Sequence, residues 1–267
     1  DSRGKGLGQR NPKVTGVLPI TVGDGTKVVQ ALLYSGKEYI CVMKIHGDMQ
    51  IEQIKNVLAQ FEDAIYQRPP LRASVKRQIR TRRIYYLDFL EAQERKVLFR
   101  VGCEAGTYIR KLCFDIGEVL GCGAHMQELR RARAGPFVEE QSVTLHEVAY
   151  GQMEWEKSKD KKILEKFVQP MERALDLVPK IYVRDSAGDA LCHGASLTAP
   201  GIISLDDNVK AGQLVAIMSL KKEAVALGKA LSSAQEIMEM EHGIAAQTER
   251  VLMLRGTYPR LWKGGNK

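Results

Sequence analysis

Aromatic residues make up only 6% of the sequence, with tryptophan present twice. A tyrosine in a polar setting therefore carries more information here than in an aromatic-rich chain. Cysteine is also sparse. The five thiols (Cys41, Cys103, Cys113, Cys122 and Cys192) include no CxxC pair, which speaks against a zinc ribbon or a dithiol redox centre. Four of them fall among apolar residues or inside an expected strand or helix, so they read as reduced structural thiols. No apolar run approaches membrane-spanning length, and no signal-peptide pattern is visible. No long-period repeat is present. Recognition-helix and zinc-finger patterns are missing too, which leaves sequence-specific DNA reading without support.

What is present is a basic, core-forming chain. It has 267 residues, 44% of them hydrophobic, and a net charge of +8. That length and composition fit two domains better than one. The positive balance points to nucleic acid or another polyanion as partner.

The most informative stretch runs from Gly102 to Arg133. Ile109, Leu112, Cys113, Ile116, Val119 and Leu120 recur at three- and four-residue steps, the spacing of one buried helical stripe. Thr107 is placed to cap that helix. Tyr108 and Arg110 then fall at the helix mouth, beside the tip of a preceding strand, where folds put chemistry. His125, Arg130, Arg131 and Arg133 follow. An aromatic and an arginine at a strand tip, next to a basic run, suggest a polyanionic substrate.

Upstream, Val17–Val22 reads as a short strand and Thr26–Leu33 as a helix. Lys37–His46 alternates like a strand, and its first half is apolar on both faces, as in a sheet centre. Asp48 is placed to cap a helix carrying Ile51, Ile54, Val57, Leu58 and Phe61. Between Arg68 and Arg83 stand seven basic residues (Arg68, Arg72, Lys76, Arg77, Arg80, Arg82, Arg83) and no acidic one. The prolines at its start and the strand at its end favour a rigid phosphate-contacting surface over a solvated arm. Ile84–Leu90 and Val97–Val101 form a hairpin around Ala92–Arg95. Val143–Val148 reads as a strand or turn, and 153–166 as helical. Pro179 marks a boundary. Beyond it, short strands at 181–183, 214–220, 225–231 and 243–254, with one short helix closed by Gly194, suggest a small barrel.

These stretches resemble a known family. NPKVTGVLP, GKEYICVM, YQRPPLRASVKRQIRTRRIYY, GTYIRKLCFDIGEVLG and GAHMQELRRARAGPF stand in the order and spacing of TruB-type pseudouridine synthases, and among these of the archaeal dyskerin-like catalytic subunits of H/ACA ribonucleoproteins. The segment from Lys180 onward resembles their PUA RNA-binding domain. The likeness covers nearly the whole chain from Asn11. It implies an α+β architecture: a mixed, largely antiparallel catalytic sheet over residues 1–178, a small β-barrel PUA domain over 179–254 and a basic tail over 255–267. The implied activity is conversion of uridine to pseudouridine in rRNA or tRNA, guided by an H/ACA RNA, with neither cofactor nor metal. Implied partners are the guide and substrate RNAs, a small zinc-ribbon-type protein on the catalytic domain, a second β-barrel accessory protein and a kink-turn RNA-binding protein. The implied location is the cytoplasm in an archaeon, or the nucleolus in a eukaryote.

The resemblance also assigns residues. Tyr39 corresponds to the tyrosine that stacks on the target base, where the residues alone allow a core aromatic. Lys76 corresponds to the lysine near the site floor. Tyr108 and Arg110 correspond to the tyrosine and arginine of GTYIR, and that arginine pairs with the catalytic carboxylate. Leu129 corresponds to an apolar pocket residue, although the residues alone suggest a helix-core leucine. Arg68, Arg72, Arg77, Arg80, Arg82, Arg83, His125, Arg130 and Arg131 are expected to contact RNA. In the second domain the same is expected of Gly194 and Ala195, where small residues let RNA approach the backbone.

One position departs from the family. Its motif is GTLDPKVTG, and the aspartate is catalytic. Here the stretch is Gly8-Gln9-Arg10-Asn11-Pro12-Lys13-Val14-Thr15-Gly16. An amide is no base or nucleophile at neutral pH. The family also carries a longer segment, with a sheet strand, ahead of this motif. Two readings therefore stand: an RNA-modifying enzyme, or a catalytically silent RNA-binding scaffold of the same particle.

Overall fold

The structure is a computed structural model and describes residues 5–6, 14–69 and 78–258. Asn11, Arg72, Lys76 and Arg77 lie outside the described residues. The chain forms two compact units. One gathers residues 14–19, 33–69 and 78–144; the other gathers 20–32 and 145–258. Residues 145–178 thus cluster with the second unit by compactness, a different division from the expected one at Pro179.

The first unit is built on a seven-stranded mixed sheet. Its order is Val14–Gly16, Ala124–Ala134, Lys37–Ile45, Lys96–Cys103, Arg80–Gln93 and Asp63–Gln67, with Phe137–Val138 paired to Ala124–Ala134. Only the first pair is parallel. Lys37–Ile45 is a central strand, as its two-sided apolar start suggested. Its odd residues Cys41, Met43 and Ile45 are buried, and they share one core with Ile54 and Leu58 of the helix Ile51–Gln60 and with Ile109, Leu112, Cys113 and Ile116 of the helix Ile109–Leu120. The Cys41 and Cys113 sulfurs lie 3.6 Å apart as free thiols.

Gly117 sets how closely the second helix approaches the sheet. A Cβ there would stand 2.0 Å from the Ala124 backbone nitrogen. Only a residue without a side chain allows the helix to meet the start of the 124–134 strand so closely.

Several local expectations are corrected. Val17–Val22 is not a continuous strand. The chain pairs at Val14–Gly16, turns, and pairs again only at Ile20–Thr21, because Gly16 takes φ +96° and Pro19 interrupts. Asp48 caps nothing: it pairs with Arg95 at 2.8 Å, and Gln50 with Gln53 forms the capping box instead. Thr107 is not the helix cap either. Its hydroxyl donates to the Glu104 carbonyl at 2.7 Å, and the helix begins one residue later, after Tyr108. Val119 is 53% exposed, at the edge of the helical stripe rather than in it. Leu129 sits in an 11-residue strand, not a helix. Its neighbours alternate in burial, which the apolar-poor run ELRRARA concealed. Residues 145–158 are helical rather than a strand or turn at 143–148. The β-branched Val143, Thr144 and Val148 suggest a strand, but they are exposed or at the helix edge, and Gly151 instead makes room for the Phe167 ring.

The second unit carries six strands in the order Leu197–Thr198, Ile244–Val251, Ala224–Ala230, Leu214–Met218, Lys180–Val183 and Ile202–Leu205. All six contribute to one core, with Ile181, Val183, Leu197, Val215, Ile217, Val225 and Ala246 among its buried members. The helix Asp185–Cys192 closes at Gly194, which adopts φ +88°. The segment 20–32 completes this unit. Val28 is buried, the Lys27 ammonium donates to the Leu252 carbonyl at 3.3 Å, and the Gln30 amide reaches Glu249 at 3.2 Å.

Candidate active site and nucleic-acid interface

Strand register brings the candidate residues of the first unit to one end of its sheet. Tyr39 lies opposite Val101 on one neighbouring strand and Arg131 on the other. Lys37 lies opposite Cys103 and Ala134. Leu129 is flanked by Cys41 and by Val14, so the parallel strand that follows Asn11 docks beside the buried Leu129. Gly16 makes this docking possible, since a Cβ there would stand 2.2 Å from the Arg131 carbonyl oxygen.

Arg131 organises the group. Its Nε donates to the Val17 carbonyl at 2.7 Å, and its charge lowers the pKa of the Tyr39 phenol opposite it. Burial, and then the neighbouring Cys103, push the Tyr39 phenol above the usual tyrosine range, while Arg131 opposes them. Lys37 is lowered to about 8, first by burial and then by repulsion from Arg131. Its ammonium donates to the Ser35 carbonyl at 2.6 Å and the Leu33 carbonyl at 3.0 Å. Burial pushes the Cys103 thiol up to about 12, against the Thr107 hydrogen bond and the Lys37 charge. Thr107 thus connects the helix mouth to Cys103, and Cys103 connects it to Tyr39 and Lys37.

At the mouth, Tyr108 is half-buried and Arg110 is exposed. Among the described residues Arg110 has no hydrogen-bond or ion-pair partner, so its charge is available to an incoming group. The backbone of Tyr108 is held by Gln67, a residue that sequence reasoning passed over. Gln67 is 1% exposed and sits at the end of the Asp63–Gln67 strand. Nothing in the local pattern signals it beyond a polar residue at a strand end before Arg68-Pro69.

The expected RNA contacts differ in how free they are. Arg68 is exposed and Arg80 half-buried. Arg82 is tied to Glu104 at 3.4 Å and lies against Gly106. Arg83 pairs with Asp63 at 2.9 Å and Arg130 with Glu139 at 2.7 Å. The Arg83 pair is exposed on both sides and the Arg130 pair on the arginine side, and such pairs exchange partners at little cost. His125 stands apart from the Tyr39 end. It lies opposite Lys44, and its Nδ1 is 2.7 Å from His46 Nε2. In the second unit a Cβ added at Gly194 would meet nothing within 4 Å, and Ala195 is exposed, its carbonyl accepting from Thr248 at 2.7 Å. Among the described residues no group of three or more His, Cys, Asp or Glu is placed to hold a metal ion. No helix among them is long and apolar enough to cross a membrane.

Comparison with known proteins agrees across the whole chain. Residues 7–51 match the N-terminal domain of TruB family pseudouridylate synthases, residues 110–176 the C-terminal domain of tRNA pseudouridylate synthase B, and residues 179–252 the PUA domain. A probable tRNA pseudouridine synthase B from Methanopyrus kandleri is 53% identical over 96% of this chain and 75% of its own length. One of the same description from Pyrococcus abyssi is 52% identical over 96% and 77%. Among solved structures, that of a Cbf5-Nop10-Gar1 complex superimposes with a TM-score of 0.93 at 50% identity, covering 97% of this chain and 79% of the other. An H/ACA RNP bound to a substrate RNA containing 2′-deoxyuridine superimposes with a TM-score of 0.88 at 48% identity, covering 97% and 79%.

Proposed function

The chain belongs to the TruB family of pseudouridine synthases and carries a PUA domain, and from that premise we propose that it takes a uridine of rRNA or tRNA, presented by an H/ACA guide RNA, to the Tyr39 end of its first sheet. Isomerisation there breaks the bond from C1′ to N1 and forms one from C1′ to C5, with a proton leaving C5 and one arriving at N1. The observation that carries the reading is the cross-strand pairing of Tyr39 with Arg131, together with Arg110 exposed at the mouth of the helix Ile109–Leu120 and without a partner among the described residues. Tyr39, partly buried against the sheet core, offers a fixed ring to a base taken out of its stack. Arg110 supplies a cation that can hold a carboxylate or phosphate by two parallel hydrogen bonds. Leu129 gives the apolar floor, and Tyr108 a second ring. Lys76 is assigned to the same site by resemblance.

RNA is held in this reading by Arg68, Arg72, Arg77, Arg80, Arg83, Arg130 and Arg131, with Arg82 and His125 at its margins and Gly194 and Ala195 against the guide end. The catalytic domain runs to residue 178, the PUA domain from 179 to 254, and the remainder is a basic tail. A small zinc-ribbon-type protein, a second β-barrel protein and a kink-turn binder complete the particle, which works in the cytoplasm. The superimposable complexes, one with Nop10 and Gar1 and one with substrate RNA, support such partners.

A second reading rests on Asn11. With an amide where the family has its aspartate, the chain binds guide and substrate but does not turn them over. Guide affinity and pseudouridine yield, measured at one salt concentration for the chain and for Asn11→Asp, decide between the two. Yield only from Asn11→Asp supports the silent scaffold. Equal yield makes residue 11 dispensable. Absence of guide binding from both removes the RNA-guided function itself.

A further inference from the structure

Gln67 and Ser219 are the two buried polar side chains among the described residues. Ser219 serves its own turn, through Glu223. Gln67 does not. Its Oε1 accepts from the Tyr108 N–H at 2.9 Å, and its Nε2 donates to the Tyr108 carbonyl at 3.2 Å. The carboxamide thus bonds the N–H and the C=O of one residue, as a residue on a paired strand would, 41 positions away in sequence. The same Tyr108 carbonyl also accepts from Leu112 at 3.0 Å. Tyr108 is held in an extended conformation (φ −96°, ψ 98°) at the point where the helix Ile109–Leu120 begins.

Burying a carboxamide is costly unless both its donor and its acceptor are used. Here both are used, but a methionine would fill the same space at lower cost. The polar choice therefore answers to something other than packing. Glutamate offers acceptors only at neutral pH, and asparagine is one methylene too short. Of the residues with this reach, glutamine alone gives one donor and one acceptor to the two backbone groups of one residue.

We propose that Gln67 is a positioning residue for the uridine site, acting through the backbone of Tyr108. It fixes the direction in which Tyr108 and, two residues later, Arg110 leave the helix mouth. It also ties that mouth to the segment Arg68-Pro69, which follows it directly. The inference rests on the functional reading above. Misplacing reacting groups by about 1 Å costs on the order of 10²-fold in rate, even from a residue that touches no substrate.

The test compares Gln67→Met, Gln67→Glu and Gln67→Asn with the unaltered chain. Three quantities are read: thermal midpoint, guide-RNA affinity, and the fluorescence of a substrate RNA with 2-aminopurine beside the target uridine. In an Asn11→Asp background kcat and KM are added. Gln67→Met should keep the midpoint and guide affinity (within about twofold), yet lose kcat by about 10²-fold with KM little changed. Gln67→Glu should recover as pH falls, because a protonated carboxyl again offers one donor and one acceptor; the unaltered chain should show no such recovery. Full activity in Gln67→Met overturns the proposal, as does a loss that only follows a fallen midpoint and weakened guide binding. If the unaltered chain shows no uridine response at all, the functional reading fails separately. Amide exchange then decides: the Tyr108 N–H should exchange at least about tenfold faster in Gln67→Met while Leu112 stays protected, and unchanged exchange overturns the role.

Discussion

Tyr39 and Arg131 face each other across two central strands, and the guanidinium lowers the pKa of both the Tyr39 phenol and the Lys37 ammonium beside it. One arginine therefore favours the deprotonated form of two neighbouring groups of the candidate site. It favours the phenolate of Tyr39 and disfavours the ammonium of Lys37.

Arg131→Met should raise both pKa values. Tyr39, already above the usual range through burial, loses the interaction that opposed burial. Lys37, at about 8 in the intact protein, loses a repulsion and moves back towards 10.5. Ultraviolet titration of the phenol and carbon-13 shifts of the lysine side chain report each separately. A fall in either would contradict the arrangement.

Cys103 gives stability a pH dependence at the alkaline end. Its thiol titrates near 9 when exposed and at about 12 in the fold. Between those values the unfolded chain has lost a proton that the native chain retains, so stability must fall as pH rises from 9 to 12. Denaturant midpoints for Cys103→Ala should lack this part of the slope.

Two glycines of one helix should respond differently to alanine. At Gly117 the new Cβ meets the Ala124 backbone, so Gly117→Ala should cost about 3 kcal/mol or more despite alanine's better helix propensity. At Gly121 the space is open and the strain is that of φ +77° alone, so Gly121→Ala should cost about 1 kcal/mol. Chemical denaturation measures both, and comparable losses would refute the close approach.

Arg130 and Glu139 test the RNA surface. The pair is exposed on the arginine side, so Arg130→Gln should change stability by less than about 1 kcal/mol. It should nevertheless weaken RNA binding and reduce the salt slope by about 1. Glu139→Gln should strengthen binding by releasing the guanidinium. Affinities across a salt series provide the check.

Periodicity and family motifs made much of this legible. The Lys37–Ile45 strand shows its central place in its alternation, and the stripe from Ile109 to Leu120 announces a buried helix. Motif order gave the family before any coordinates. What stayed hidden was chiefly tertiary. Leu129 lies in a strand whose exposed positions are His125, Glu128 and Arg130, so its alternation is read through charge rather than apolar residues. Asp48 and Thr107 have the chemistry of caps, but Arg95 and the Glu104 carbonyl claimed them. Gln67 could not be found locally, because both its partners are backbone atoms of a residue far along the chain. The residues that would complete the site, Asn11 and Lys76, lie outside the described residues.

The segment 20–32 has a consequence for biosynthesis. Its hydrogen bond from Lys27 to Leu252 spans 225 positions, and Val28, Ala31 and Leu32 are buried in the finished protein. On a ribosome adding roughly 5–20 residues per second, that early segment waits on the order of ten to forty-five seconds for its counterpart to emerge. During that interval its apolar side chains are without their final cover. A deletion of residues 180–267 removes the Leu252 and Glu249 partners of Lys27 and Gln30 and leaves Met171–Leu175, which packs against residues 23–28.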